Sequence, residues 1–188
     1  MRPARKRLAA GAAALFILSG ASAAIGETRI SSGHNVMVIP RGSPVRFAFF
    51  GRDEVAKFKG HFELTGTYRY GYAHDPAARR ARRETLALSF VPDLPLAEEL
   101  PYWQGFSPPA TLSFSNVRAF VSRVVPPDAL AKLKQKKALS IGGRAAIQVD
   151  DYKAGIECGD AHYSVRFVSL ARQRPVRLTR NVVPAYGC

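Results

Sequence analysis

Between Gly60 and Tyr72 the chain reads GHFELTGTYRYGY. Phe62, Leu64, Tyr68, Tyr70 and Tyr72 are large and apolar or aromatic. His61, Glu63, Thr65, Thr67 and Arg69 fall between them. A period of two sends alternate side chains to opposite faces of an extended chain, so this stretch reads as a half-buried strand. Gly66 interrupts the apolar face, and in a small barrel such a glycine often marks a tight bend. The tyrosines admit two uses, a stacking platform for a ligand or the filling of a core. Because Tyr68 and Tyr70 share a face with Phe62 and Leu64, they are assigned to the core. Tyr72, beyond Gly71 at the mouth of a loop, is kept as a ligand contact.

The same pattern recurs downstream. Leu86, Leu88 and Phe90 alternate with smaller residues and give a second strand, ended by Pro92. Residues 92–110 hold five prolines and read as a long loop with one helical turn near Leu96 to Leu100. A third strand begins at Thr111, with Leu112 and Phe114 inward. Its continuation is ambiguous, because Val117, Phe120, Val121 and Val124 have helical spacing while valine favours strands. A short strand followed by a helical turn is the expectation. Pro126-Pro127-Asp128 opens a helix, with proline in its first turn and an acid at its positive end. Lys132, Lys134, Lys136 and Lys137 gather where cations suit the helix dipole. Leu139 to Val149 then alternates as a long strand kinked at Gly142-Gly143. Residues 150–160 are expected to be a turn, and Tyr163, Val165 and Phe167 open the last strand.

The order strand, strand, strand, helix, strand, strand resembles the OB-fold, carried here by GHFELTGTYRYG, PPDALAKLKQKK, ALSIGGRAAIQV and HYSVRFVSL. It is similar to bacterial exported OB-fold-like domains of unknown function. The resemblance implies a mainly β fold, a small five-stranded OB-like Greek-key barrel with one helix between strands 3 and 4. A β-sandwich or a lipocalin-like barrel is the alternative. Fold alone does not set function.

Met1 to Arg7 is basic, Leu8 to Leu18 is apolar, and Ser19 to Ala24 ends in small residues, the three parts of a secretory signal peptide. The expected organisation is a signal peptide over 1–24, cut after Ala23 or Ala24, then an N-terminal extension with short strands over 25–56. The OB-like β-barrel domain follows over 57–171, and a basic C-terminal tail over 172–188. An uncleaved anchor is the competing reading of the leader. No span is expected after cleavage, and the destination is the periplasm or envelope. The two cysteines, Cys158 and Cys188, read as one disulfide in an exported chain. Loop-closure entropy puts its contribution at roughly 3 kcal/mol.

The chain holds 28 Lys and Arg against 14 Asp and Glu, a net charge of +14. Loss of the leader removes four basic residues and leaves +10. Such a surplus favours an anionic partner: glycolipid, phospholipid, acidic glycan or, ranked behind these, nucleic acid. Solubility alone is the plain alternative. The densest cluster is Arg79, Arg80, Arg82 and Arg83, in the loop between the first two strands, where arginine forks suit phosphate or sulfate. Tyr102 and Trp103 lie in an aromatic loop that would either stack on a ligand or plug one end of the barrel. His61 and His162 would approach only if the first and last strands pair, and no histidine spacing suits a metal. Neither G-x-S-x-G nor S-x-x-K occurs, and Gly142-Gly143 is no nucleotide loop. The reading is therefore a non-catalytic exported domain, without cofactor or metal, that binds an anionic or oligomeric ligand. A protein-docking or inhibitor module on another exported protein, and a small hydrolase with a dispersed site, are the alternatives.

Overall fold

The computed structural model describes residues 26–51, 53–74 and 85–184. Along them run β1 (Thr28–Ser32), β2 (Asn35–Ile39), β3 (Arg46–Phe50), β4 (Ala56–Lys59), β5 (Phe62–His74), β6 (Leu86–Pro92), α1 (Leu94–Glu99), β7 (Tyr102–Trp103) and β8 (Ser113–Phe114). Then come α2 (Val117–Val124), α3 (Pro127–Lys134), β9 (Ser140–Glu157), β10 (Asp160–Gln173), β11 (Arg177–Thr179) and β12 (Val183–Pro184). The fold is mainly β. Twelve strands stand among the described residues where five were expected.

Strand β5 carries the alternation that its sequence dictates. Phe62, Leu64 and Tyr68 are buried, while Glu63 and Thr67 are exposed. One edge pairs with β6, setting Tyr68 opposite Phe90 and Arg69 opposite Ser89. The other edge pairs with β9, setting Leu64 opposite Ile147 and Tyr68 opposite Gly143. The two glycines matter for close approach. A Cβ on Gly66 would lie 2.3 Å from the Val91 carbonyl oxygen and 2.5 Å from the Phe90 ring. One on Gly143 would lie 2.9 Å from the Tyr68 ring. Each glycine leaves room for one aromatic ring to cross the inside of the sheet.

The central strand is β9. It pairs with β5 and β4 along one edge and with β10 and β11 along the other. Strand β10 then pairs in parallel with β8. From β8 the path back to β6 is a single antiparallel bridge, Phe90 to Leu112, with the Leu112 amide donating to the Phe90 carbonyl at 2.8 Å. The ladders therefore do not close into a continuous barrel, because β8 spans only two residues and offers too little edge for a full ladder. Strands β1, β2 and β7 form a separate three-stranded sheet.

Helix α2 supplies the inner plug. Phe120 is fully buried and meets four rings from four strands. They are Tyr68 at 5.4 Å, Phe90 at 6.5 Å, Phe114 at 4.9 Å and Phe167 at 5.5 Å between centroids. Most of these contacts are edge-on, the geometry that the ring quadrupole prefers. The valines of this stretch follow the helix because tertiary packing of Phe120 and Val124 outweighs their strand preference. Asn116 stops β8 by gripping β10. Its amide donates to the Phe167 carbonyl at 2.8 Å, and its side-chain oxygen accepts from the Phe167 amide at 2.9 Å. Helix α3 follows as its sequence predicts, with Ala129 and Leu133 buried.

Residues 150–157, expected as part of a turn, instead continue β9. Asp150 and Asp151 sit at a bulge, where Asp151 takes a positive φ of 51° and the register slips between Ser164 and Arg166. The turn itself is Cys158-Gly159, with φ values of 50° and 84° joining Glu157 to Asp160. Two left-handed residues make the tight hairpin that matches strand twist. Of the stretch expected as an extension, β2 contributes the buried Met37 and Val38, and β3 pairs with β4, which joins the main sheet through β9. Of the stretch expected as a tail, β11 pairs with β9, and β12 lies parallel to β5 with Val183 fully buried. No helix among the described residues is long and apolar enough to cross a membrane.

Candidate anion-binding groove

Arg79, Arg80, Arg82, Arg83 and Cys188 lie outside the described residues. Trp103 is 1 % exposed and stacks on Phe50 at 6.0 Å, so it fills the core and offers no ring to a ligand. Tyr102 is half-buried opposite Val38 in the small sheet, and Tyr72 is half-buried opposite Leu86. Cys158 occupies the β9–β10 turn, and no free cysteine stands among the described residues. His61 and His162 do not approach. Phe62 pairs with Val149 and His162 with Gly155 on the opposite edge of β9, which leaves about 20 Å of strand between them. Among the described residues, no group of three His, Cys, Asp or Glu side chains converges on a metal position.

Five of the described arginines do converge. In an antiparallel sheet, residues directly opposite each other point to the same face. On the outward face of β5, β9 and their neighbours this rule builds three successive rows. The first joins Thr65, Ala146 and Arg172. The second joins Thr67 and Arg144, whose carbonyl accepts from the Arg174 amide at 3.0 Å. The third joins Arg69, Gly142 and Arg177. Over the second and third rows lies a groove of about 820 Å³, walled by Arg69, Arg144, Arg174 and Arg177. Over the first and second lies one of about 440 Å³ that includes Arg172. Arg144 and Arg174 line both, so the two grooves are continuous.

The groove's electrostatics follow from its short supply of acids. Asp93 is the one acidic residue in either lining, and it is already engaged. It accepts from Thr65 at 2.7 Å and from Arg144 at 2.5 Å, which holds Arg144 in place. Arg172 meets Glu63 at 3.5 Å. Arg69, Arg174 and Arg177 form no ion pair among the described residues. Guanidinium groups left without carboxylates over a shared depression are ready donors to an incoming anion. Gly142 forms the floor of the third row. A Cβ there would meet only the Tyr68 carbonyl oxygen, at 3.5 Å, so its bareness leaves open space between Arg69 and Arg177. Beneath the neighbouring Gly143, burial pushes the Tyr68 phenol up to about 12, and its hydroxyl makes no hydrogen bond.

A second charged group lies elsewhere. Arg166 donates twice to the buried Asp150, at 2.8 and 2.6 Å, and this bond raises the guanidinium further above its ordinary value. His61 sits 3.7 Å from the same carboxylate. That carboxylate is saturated, so the group reads as a clasp between β9 and β10.

Sequence reasoning missed the groove because its members come from strands far apart in the chain. The available signal was weak. Arg69 falls on the outward set of β5, the arginines after residue 171 are closely spaced, and the double glycine leaves a gap opposite both. Comparison with protein families, curated proteins and solved structures finds no match in any of the three.

Proposed function

We propose that this protein is a non-catalytic exported domain that binds an anionic ligand in the arginine groove over β5, β9 and β11. One observation carries the reading: Arg69, Arg174 and Arg177 share a depression with no free carboxylate. Uncompensated arginines repel one another, and an anion relieves that repulsion. The +10 charge left after the leader supports the same class of partner. Export rests on the three-part leader, and with it the pairing of Cys158 with Cys188.

An OB-like core is part of this reading. Its support is the order β6, β5, β9, β10, β8, with β8 parallel to β10, the Phe90–Leu112 bridge returning to β6, and α2 lying between β8 and β9. Arg79, Arg80, Arg82 and Arg83 belong to the segment that joins β5 to β6, the hairpin that supplies Arg69. We assign them a share in the same ligand.

The test compares Arg69→Ala/Arg177→Ala with the charge-matched Lys132→Ala/Lys134→Ala on α3. Each is titrated with a sulfated glycan at two salt concentrations. The groove pair is expected to weaken binding and to flatten the salt dependence by about one unit of slope per arginine removed. The α3 pair is expected to leave both close to wild type. Equal losses from the two variants would sink the proposal.

A further inference from the structure

We infer that the groove takes a linear acidic polysaccharide, laid across the three rows so that successive negative groups meet successive arginines. This rests on the anion-binding reading above and adds the shape and chemistry of the ligand. Arg172, Arg174 and Arg177 flank β9 at Ala146, Arg144 and Gly142. These are alternate positions of one strand. Two residues of strand advance about 7 Å, so the three arginines form a file about 14 Å long. The groove runs along the file, since the volumes over its two halves share Arg144 and Arg174. A compact anion would use one row. A chain of repeated charges uses all three.

The rest of the lining separates the candidates. Thr67, Ser89 and Gln173 place hydroxyl and amide groups beside the arginines. Groups that both donate and accept suit sugar hydroxyls. Binding of single-stranded nucleic acid calls for exposed aromatic faces on which bases stack. The one aromatic side chain of the lining, Tyr68, is fully buried and packed edge-on against Phe120. The chemistry thus favours a polymer with acidic groups and hydroxyls over one with bases.

The experiment uses the full mature chain and calorimetric titration with heparin-derived disaccharide, tetrasaccharide and octasaccharide, inorganic sulfate, and an oligothymidylate of matched charge. Affinity is expected to rise at least about tenfold from disaccharide to octasaccharide, as linked charges engage successive arginines. Sulfate is expected to compete poorly. Arg172→Ser/Arg174→Ser/Arg177→Ser is expected to erase the length dependence. Gly142→Asp offers a second route, because a side chain fits there without displacing a neighbour. It places a negative charge in the middle of the file and is expected to abolish binding while the circular dichroism spectrum stays unchanged. Length-independent binding, or tighter binding of the oligothymidylate, would overturn the polysaccharide assignment and leave the anion site standing. No binding of any anion would overturn the anion site itself.

Discussion

Two buried tyrosines, both on strands of the main sheet, have opposite hydrogen-bonding fates. The Tyr152 hydroxyl donates to the Pro101 carbonyl at 2.6 Å, whereas the Tyr68 hydroxyl has no partner. Removing a satisfied buried hydroxyl strands its acceptor, while removing an unsatisfied one relieves a desolvation cost. Tyr152→Phe is therefore expected to destabilise the fold by about 1–2 kcal/mol, and Tyr68→Phe to be neutral or stabilising. Urea unfolding of the two variants side by side checks the contrast. These two phenols, together with that of Tyr163, set an alkaline limit. Burial raises Tyr68 and Tyr163 to about 12 and Tyr152 well above its ordinary 10. Below pH 10 the folded and unfolded chains hold these protons equally. Between pH 10 and 12 the unfolded chain releases them first, so stability falls as pH rises. Unfolding free energy is expected to be insensitive to these tyrosines up to pH 10 and to drop steeply above it. A flat profile through pH 12 would contradict the burial of these groups.

At the scale of elements, α2 holds the inner core through one side chain. Phe120→Ala is expected to cost about 3–5 kcal/mol, since it empties a site bounded by four rings. A shift in the denaturation midpoint without a change in slope is the measurement, and a loss below about 1 kcal/mol would mean the rings repack around the gap. The elements that could be read from the sequence were those with a strong period. The alternation of β5 and β6 and the proline-led α3 follow directly from local pattern. Helix α2 and the second half of β9 did not, for a shared reason. Valine at residues 117, 121 and 124 and aspartate at 150 and 151 carry local preferences that distant partners override. Phe120 and the Asn116 grip on β10 decide the first, and the Arg166 clasp on Asp150 steadies the second. The groove was illegible for a related reason, since Arg69, Arg144 and Arg177 meet only through strand register. Trp103 was ambiguous because its burial depends on Phe50, some fifty residues earlier in the chain.

For the molecule as a whole, the proposed Cys158–Cys188 link would tie the end of the chain to the β9–β10 turn. Alkylation of the unreduced protein is expected to add no mass, and alkylation after reduction to add two adducts. Two adducts without reduction would refute the link. The proposed link contributes roughly 3 kcal/mol by restricting the unfolded chain.

The position of β9 carries a consequence for how the chain comes to be folded. Strand β5 can pair with β6 as soon as residue 92 has been made, but its other edge pairs with residues 140–149. During synthesis that edge stays open while some fifty further residues are added, and contacts of such sequence separation form slowly. An open edge invites wrong pairings. The delay also means that a nascent chain lacks its central strand until late. Under the export proposed above, late arrival of the central strand keeps the chain threadable through a translocation pore.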